Sequence, residues 1–222
     1  VSQSKIKQYL KFKVINERSI NMKCYKGVIS RAIVTFGIFT IICGVMYPLV
    51  MTTFAQVVYP EKANGSLIEV EGNLYGSELL GQQFTKDSHM WGRIMQIDTV
   101  TYKDKEGNAV MYAYPANLSP ASKEYEALVN ERVNFIKEAH PKNIGKAIPV
   151  DLVTGSGSGL DPGISVAAAM YQVERLAEKN QLSIGEVEKI IRECTDSKYI
   201  GIFGEETVNV LKVNLMLEGI LK

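Results

Sequence analysis

The sequence predicts an α+β protein: one N-terminal transmembrane helix followed by a single mixed α/β extracytoplasmic domain. Three observations predict it. No charged residue occurs from Ala32 through Pro60. A strongly basic stretch precedes that segment. Beyond it, helical and strand-like patterns alternate over residues 61–222 with no internal repeat, in a length suited to one compact domain with its own core. The expected division is a basic tail over 1–27, a membrane helix with its juxtamembrane segment over 28–59, and an extracytoplasmic domain over 60–222.

Within the uncharged segment, Ala32 to Met51 supplies the roughly 20 apolar residues that cover about 30 Å of hydrocarbon. A cleaved signal peptide also begins with positive charge, but its apolar core is shorter and ends at a small-x-small site; here Thr53-Phe54-Ala55 is only a fair one. Residues 1–31 hold eight basic side chains against Glu17 alone, a net +7, and the remainder carries a net −6. The positive-inside rule therefore places the N-terminus in the cytoplasm and the main domain outside, with the lipid bilayer as a partner. A nucleic-acid-binding tail is the alternative meaning of the basic stretch; because a span follows at once, no nucleic-acid partner is expected. Met22 opens a short basic lead into the span, so translation is expected to begin there, leaving 1–21 untranslated.

Gly37, Thr40 and Gly44 fall at i, i+3 and i+7, a small-residue stripe along which another membrane helix could pack. Glycine is also simply common in membrane helices, and the stripe alone leaves both readings open. Pro48 is expected to weaken the last turn.

In the domain, strands are expected at Ser66–Val70 and Leu74–Leu80 around a Gly72-Asn73 turn, and a loop or hairpin over Tyr102–Ala116. Ser119-Pro120 should open a helix carrying Tyr125, Leu128, Val129, Val133 and Ile136 on one face, ending before Pro141. Ile148 to Val153 reads as a buried strand, followed by a glycine-rich turn. Ser165 should cap a helix to about Lys179. Ser183 and Glu186 form a capping box with a Leu182/Val187 staple, for a helix to about Cys194. Tyr199–Phe203 and Thr207–Val213 read as strands.

Chemistry-bearing patterns are sparse. Cys24, Cys43 and Cys194 lie in three different segments and cannot form a disulfide framework, and His89 and His140 are the only histidines, so no metal set is expected. Gly155-Ser156-Gly157-Ser158-Gly159, between a strand and a helix, could cradle an anion. A phosphate loop, however, needs a Lys after its last glycine, where Leu160 and Asp161 stand, and G-x-S-x-G is out of register. Read physically, the loop is a tight turn. Gln172 and Arg175 share a helix face; an amide beside a guanidinium can recognise a carbonyl, carboxylate or phosphate, but a solvated face is the plainer reading. Asp161 is the expected acceptor for Arg175. No catalytic residue is assigned.

Colinear motifs extend from about Met22 to the C-terminus. They include Tyr47-Pro48-Leu49, Ala63-Asn64-Gly65-Ser66-Leu67, Gly76-Ser77-Glu78-Leu79, Trp91-Gly92-Arg93, Pro149-Val150-Asp151-Leu152-Val153-Thr154, Ser156 to Pro162, Gln172, Arg175, Gly204-Glu205, Val208-Asn209-Val210-Leu211 and Asn214. In these the chain resembles the C subunit of Kdp-type potassium-transporting ATPases. Two departures stand out: Gly163 where the family commonly has His, and Ala116 to Pro120 in place of Ser-Asn-Leu-Gly-Pro.

The resemblance implies an accessory, non-catalytic subunit of a high-affinity potassium pump, with two partners: an ATP-hydrolysing subunit and a channel-like potassium-binding subunit. It further implies a catalytic chaperone that raises the ATP affinity of the hydrolysing subunit. Under that view Gln172, within a motif spanning Ser156, Gly157, Ser158, Gly159, Asp161 and Arg175, contacts nucleotide or partner. No tightly bound cofactor is expected, with ATP held only jointly with the hydrolysing subunit. The charge-derived topology conflicts with direct ATP contact, since it puts Gln172 outside the cell. A membrane-anchored binding or sensor module is the alternative from another class, as is an anchored hydrolase, which lacks a recognisable nucleophile and base.

Overall fold

The computed structural model describes the backbone at residues 3–98, 100–108, 112–115 and 117–222, and side chains at 6–13, 27–98, 100–108, 113–115 and 117–222. Residues 1–64 and 65–222 form two separate compact units.

The first unit is helical: α1 (Gln3–Ile41), a π-helical turn (Ile42–Met46), α2 (Tyr47–Val58) and a single turn, α3 (Pro60–Ala63). Gly27–Val58 is long and apolar enough to cross a membrane, extending beyond the expected Met51. Pro48 acts earlier than expected. Its ring cannot donate to, and crowds, the carbonyl four residues back, and the chain answers with the wide turn at Ile42–Met46 instead of a frayed end. Phe36, Phe39, Leu49 and Val57 are all exposed, and the hydroxyls of Thr40 and Thr53 donate back to Phe36 O and Leu49 O at 2.8 Å, so neither seeks water.

The second unit mixes short strands and helices: β1 (Leu67–Val70), β2 (Asn73–Ser77), β3 (Gln96–Asp98), β4 (Tyr112–Tyr114), α4 (Lys123–Ala139), β5 (Gly163–Ser165), α5 (Val166–Tyr171), α6 (Val173–Asn180), α7 (Ile184–Glu193), β6 (Thr195–Asp196), β7 (Thr207–Asn209) and α8 (Val210–Leu217). Strands β1 and β2 form a hairpin, β3 and β4 another, and β5-β7-β6 an antiparallel sheet. The first hairpin turns at Glu71-Gly72 and not at the expected Gly72-Asn73: a two-residue turn matching strand twist requires positive φ at both positions, Asn73 already pairs with Val70, and the second strand ends at Ser77 and not Leu80. Of the Tyr102–Ala116 segment, residues 109–111 and 116 lie outside the described residues; Asp104 to Asn108 close a turn there. The core gathers Trp91, Ile136, Leu152, Ile164, Leu176, Val187, Ile191, Val208 and Val213 among the helices and the three-stranded sheet.

Helix α7 follows local chemistry. Glu186 N donates to Ser183 Oγ and Ser183 N to Glu186 Oε2, while Val187 and Ile191 are buried. Such a cap contributes about 1 kcal/mol.

Elsewhere tertiary demands override the sequence pattern. Helix α4 starts at Lys123, not at Ser119-Pro120, because Ser119 O accepts from Ser122 N in a turn of its own and Ser122 caps Tyr125 N. The expected strand at Ile148–Val153 is a 3₁₀ turn over Val150–Leu152, which sends Leu152 into the core and Asp151 toward Arg93. The expected Ser165–Lys179 helix breaks at Gln172, whose N–H bonds to Ala169 O in a tightened turn. Tyr199–Phe203 is a turn joining β6 to β7. Only Thr207–Asn209 of the last expected strand is extended: Asn209 Oδ1 caps Lys212 N, and the chain continues as α8.

Candidate functional site

Lys86 to Trp91 enters the interior from an exposed start, with His89, Met90 and Trp91 buried, and belongs to no sheet, so its backbone groups need partners from side chains. Eight side-chain hydrogen bonds supply them. Trp91 Nε1 donates to Lys86 O, Asn180 Nδ2 to Ser88 O, and Arg175 Nη1 to Asp87 O and His89 O. Asn214, on α8, accepts from Met90 N at 2.6 Å and donates to Met90 O at 3.0 Å. Gln172, at the joint between α5 and α6, does the same for Trp91, both at 2.9 Å. Two neighbouring residues are thus each gripped by one amide from a different helix.

Gln172 is fully buried and Arg175 is 6% exposed, so the solvated helix face is corrected to an interior cluster. Arg175 Nε donates to His140 Nε2 at 3.0 Å, Nη2 to Gln172 Oε1 at 2.7 Å, and the guanidinium carbon lies 3.8 Å from the Trp91 ring centre. Four of its five N–H donors are spent inside the protein. One free donor cannot make the two-pronged contact by which arginine grips phosphate. Burial pushes the guanidinium down to about 10, still charged at neutral pH. His140 Nδ1 faces Ile136 O at 2.8 Å and therefore carries the proton, leaving Nε2 to accept from Arg175; burial, more than the nearby guanidinium, lowers its pKa.

Beside this cluster lies a cavity of about 220 Å³, lined by Asp87, Glu138, His140, Lys142, Arg175 and Glu178 among others. Its charges largely answer one another: Lys142 meets Glu178 at 2.8 Å and Lys179 meets Asp87 at 3.7 Å.

The glycine-rich turn stands apart. Gly159 N donates to Ser156 Oγ and Leu160 N to Ser158 Oγ, so the hydroxyls occupy the N–H groups an anion would use. Strand β5, not a helix, follows. Gly159 has φ +74°, and a Cβ there would sit 2.6 Å from the Tyr114 carbonyl carbon. The expected Arg175–Asp161 contact is not formed. Arg93 takes that place, with Nη2 2.7 Å from Asp151 and Nε 3.1 Å from Asp161; the latter is an ion pair without hydrogen-bond alignment. Buried Asp151 also accepts from Ser165 N, and Asp161 from Gly163 N, so Arg93 ties the turn to the start of β5 and α5. Gly163 packs closely: a Cβ there would lie 3.3 Å from Thr207 Cβ.

In the first unit, a Cβ on Gly44 would meet only Thr40 Cγ2, at 3.9 Å, and one on Gly37 would meet nothing within 4 Å. Gly44 lies inside the π turn, which rotates everything beyond it relative to Gly37.

Residues 29–219 match the family described as KdpC, the c chain of K+-transporting ATPases. The chain belongs to the KdpC family. It is 58% identical over 201 residues to the potassium-transporting ATPase KdpC subunit of Clostridium botulinum (strain Eklund 17B / Type B), covering 90% of this chain and all of the relative. The corresponding subunit of Clostridium perfringens is 56% identical over 195 residues, covering 88% of this chain and 98% of the relative. That of Herpetosiphon aurantiacus is 42% identical over 189 residues, covering 85% and 94%. The chain is thus similar to potassium-pump subunits over nearly its whole length.

Of the residues that carried the KdpC resemblance, Trp91, Arg93, Asp151, Gln172, Arg175, Asn209 and Asn214 are all internal fasteners. The roles of Trp91, Arg93, His140, Asn180 and Asn214 were missed. The available signal was a lone Trp in a stretch lacking strand or helix period, since a buried irregular segment must borrow hydrogen bonds from elsewhere.

Proposed function

We propose that the chain is a non-catalytic subunit of a potassium-transporting ATPase, anchored by its single apolar helix with the N-terminus in the cytoplasm and residues 65–222 outside. Its partners are an ATP-hydrolysing subunit and a channel-like potassium-binding subunit, and it supports turnover by holding the assembly together. Any gain in the hydrolysing subunit's ATP affinity is transmitted through that assembly, as a chaperone effect without nucleotide contact from Gln172 or the Ser156–Asp161 turn. The observation that carries this reading is the inward commitment of Gln172 and Arg175, which leaves one guanidinium N–H for any ligand. The +7 tail ahead of the apolar helix supports the topology.

The test places a cysteine at exposed Lys189 in a chain whose own cysteines are replaced by serine, and treats intact cells with an impermeant thiol reagent. Labelling in intact cells, with two larger membrane subunits co-purifying, is expected. Labelling only after lysis would reverse the topology.

A further inference from the structure

Between β6 and β7 the chain makes a tight turn whose side chains face outward. Tyr199, Ile200, Ile202 and Phe203 are 74%, 71%, 75% and 64% exposed. Tyr199 N donates to Phe203 O at 2.8 Å and Phe203 N to Tyr199 O at 3.0 Å, so the tip is a closed, hydrogen-bonded bridge on two strands of the central sheet. Ile200 has φ +55°, left-handed space that a β-branched residue enters only under constraint. Asparagine or glycine would be comfortable there and would expose no large apolar side chain. Four exposed apolar side chains on one rigid tip are costly in water, and that hydration cost is recovered when the tip is covered.

The flanking charge selects the cover. Along the chain on either side of the tip, residues 196–206 carry Asp196, Glu205 and Glu206 against Lys198, which lies 3.6 Å from Glu205, for a net charge of −2. Surfaces that settle on lipid carry lysine and arginine around their apolar residues, because membranes are anionic. An isologous contact between two copies would face acidic rim against acidic rim.

We propose that the Tyr199–Phe203 turn is a preformed docking knob that seats in an apolar recess, rimmed by basic side chains, on a partner subunit of the same pump. This rests on the assembly proposed above. A rigid turn loses little freedom on binding, and aromatic tips buried in a pocket commonly dominate an interface.

The test uses the full chain co-expressed with its pump subunits. A photoreactive benzophenone side chain replaces Ile202, and illumination is expected to yield a covalent adduct with a partner subunit. Adducts only with lipid, only with a second copy, or none would overturn the proposal. A second arm uses Ile202→Ser/Phe203→Ser, whose side chains touch mainly solvent and whose melting temperature should equal wild type. The fraction retained with the partner subunits after extended detergent washing should fall at least fivefold; retention equal to wild type would overturn the knob. If the wild-type chain itself co-purifies with no other subunit, the assembly reading falls as well. If it co-purifies and position 202 is silent, only the knob falls.

Discussion

Gln172 and Trp91, 81 positions apart in sequence, are joined by two hydrogen bonds: the side-chain amide of one accepts from and donates to the backbone of the other, both at 2.9 Å. Gln172→Ala would strand two buried backbone groups of Trp91 and one N–H donor of Arg175. The expected loss is about 2–4 kcal/mol, read by denaturation of the purified chain in detergent. In pumps that still assemble, the ATP concentration for half-maximal activity should stay within about twofold of wild type; a tenfold rise would show that Gln172 serves nucleotide binding directly.

Arg93 holds two carboxylates in different surroundings, Asp151 7% and Asp161 38% exposed by side chain. Asp151→Ala leaves an arginine partly buried without its better partner and should cost about 2–3 kcal/mol. Asp161→Ala should cost under about 1 kcal/mol, since water screens that pair. Equal costs in urea titrations would contradict this division.

The serine-glycine turn offers a contrast within three residues. Gly157→Ala meets open space and should leave stability unchanged, whereas Gly159→Ala combines φ +74° with a clash against the Tyr114 backbone. The second should lower stability by about 2 kcal/mol or more, mostly from backbone strain and displacement of β4. If both variants melt together with wild type, the turn is not packed as described.

Acid should destabilise the domain through His140. Burial holds its folded pKa below the ordinary 6.5, so between the two values the unfolded chain binds the proton more readily. The stability His140 confers is whole above about 6.5 and declines as pH falls through that value toward the folded pKa. Thermal melts from pH 7.5 to 5 should show the decline, and His140→Gln should start lower and slope less. An unchanged slope in the variant would assign the acid sensitivity elsewhere.

Gly44→Leu tests the helix stripe, since the site is open apart from Thr40. If a partner helix packs there, yield of the detergent-purified complex should drop severalfold while the chain alone is unaffected. Full yield would mark the stripe as composition only.

Much of the fold was legible where the cause is local. The apolar run, the Ser183/Glu186 capping box and the existence of the first hairpin follow from residues within a few positions of one another, although its turn falls at Glu71-Gly72, one residue before the expected Gly72-Asn73. Illegible elements have distant causes. Val210 to Leu217 is apolar except at Lys212 and Asn214 and suits strand or helix alike; it becomes α8 because Asn209 caps it and Val210, Val213 and Leu215 are all buried. Tyr199–Phe203 has strand composition, yet Ile200 and Gly201 both take positive φ and reverse the chain.

The candidate site divides the same way. Residue types and spacing were enough to identify the family pattern, to place Gln172 and Arg175 on one face, and to show that the glycine-rich loop lacks a phosphate-binding lysine. Which way that face points was decided only in three dimensions. A helix face turns inward when something there needs its hydrogen bonds, and what needs them is Lys86 to Trp91, a segment with no sheet to join. Asp161 likewise goes to Arg93 and not to Arg175, because the turn lies beside one guanidinium while the other is already filled by carbonyls and His140.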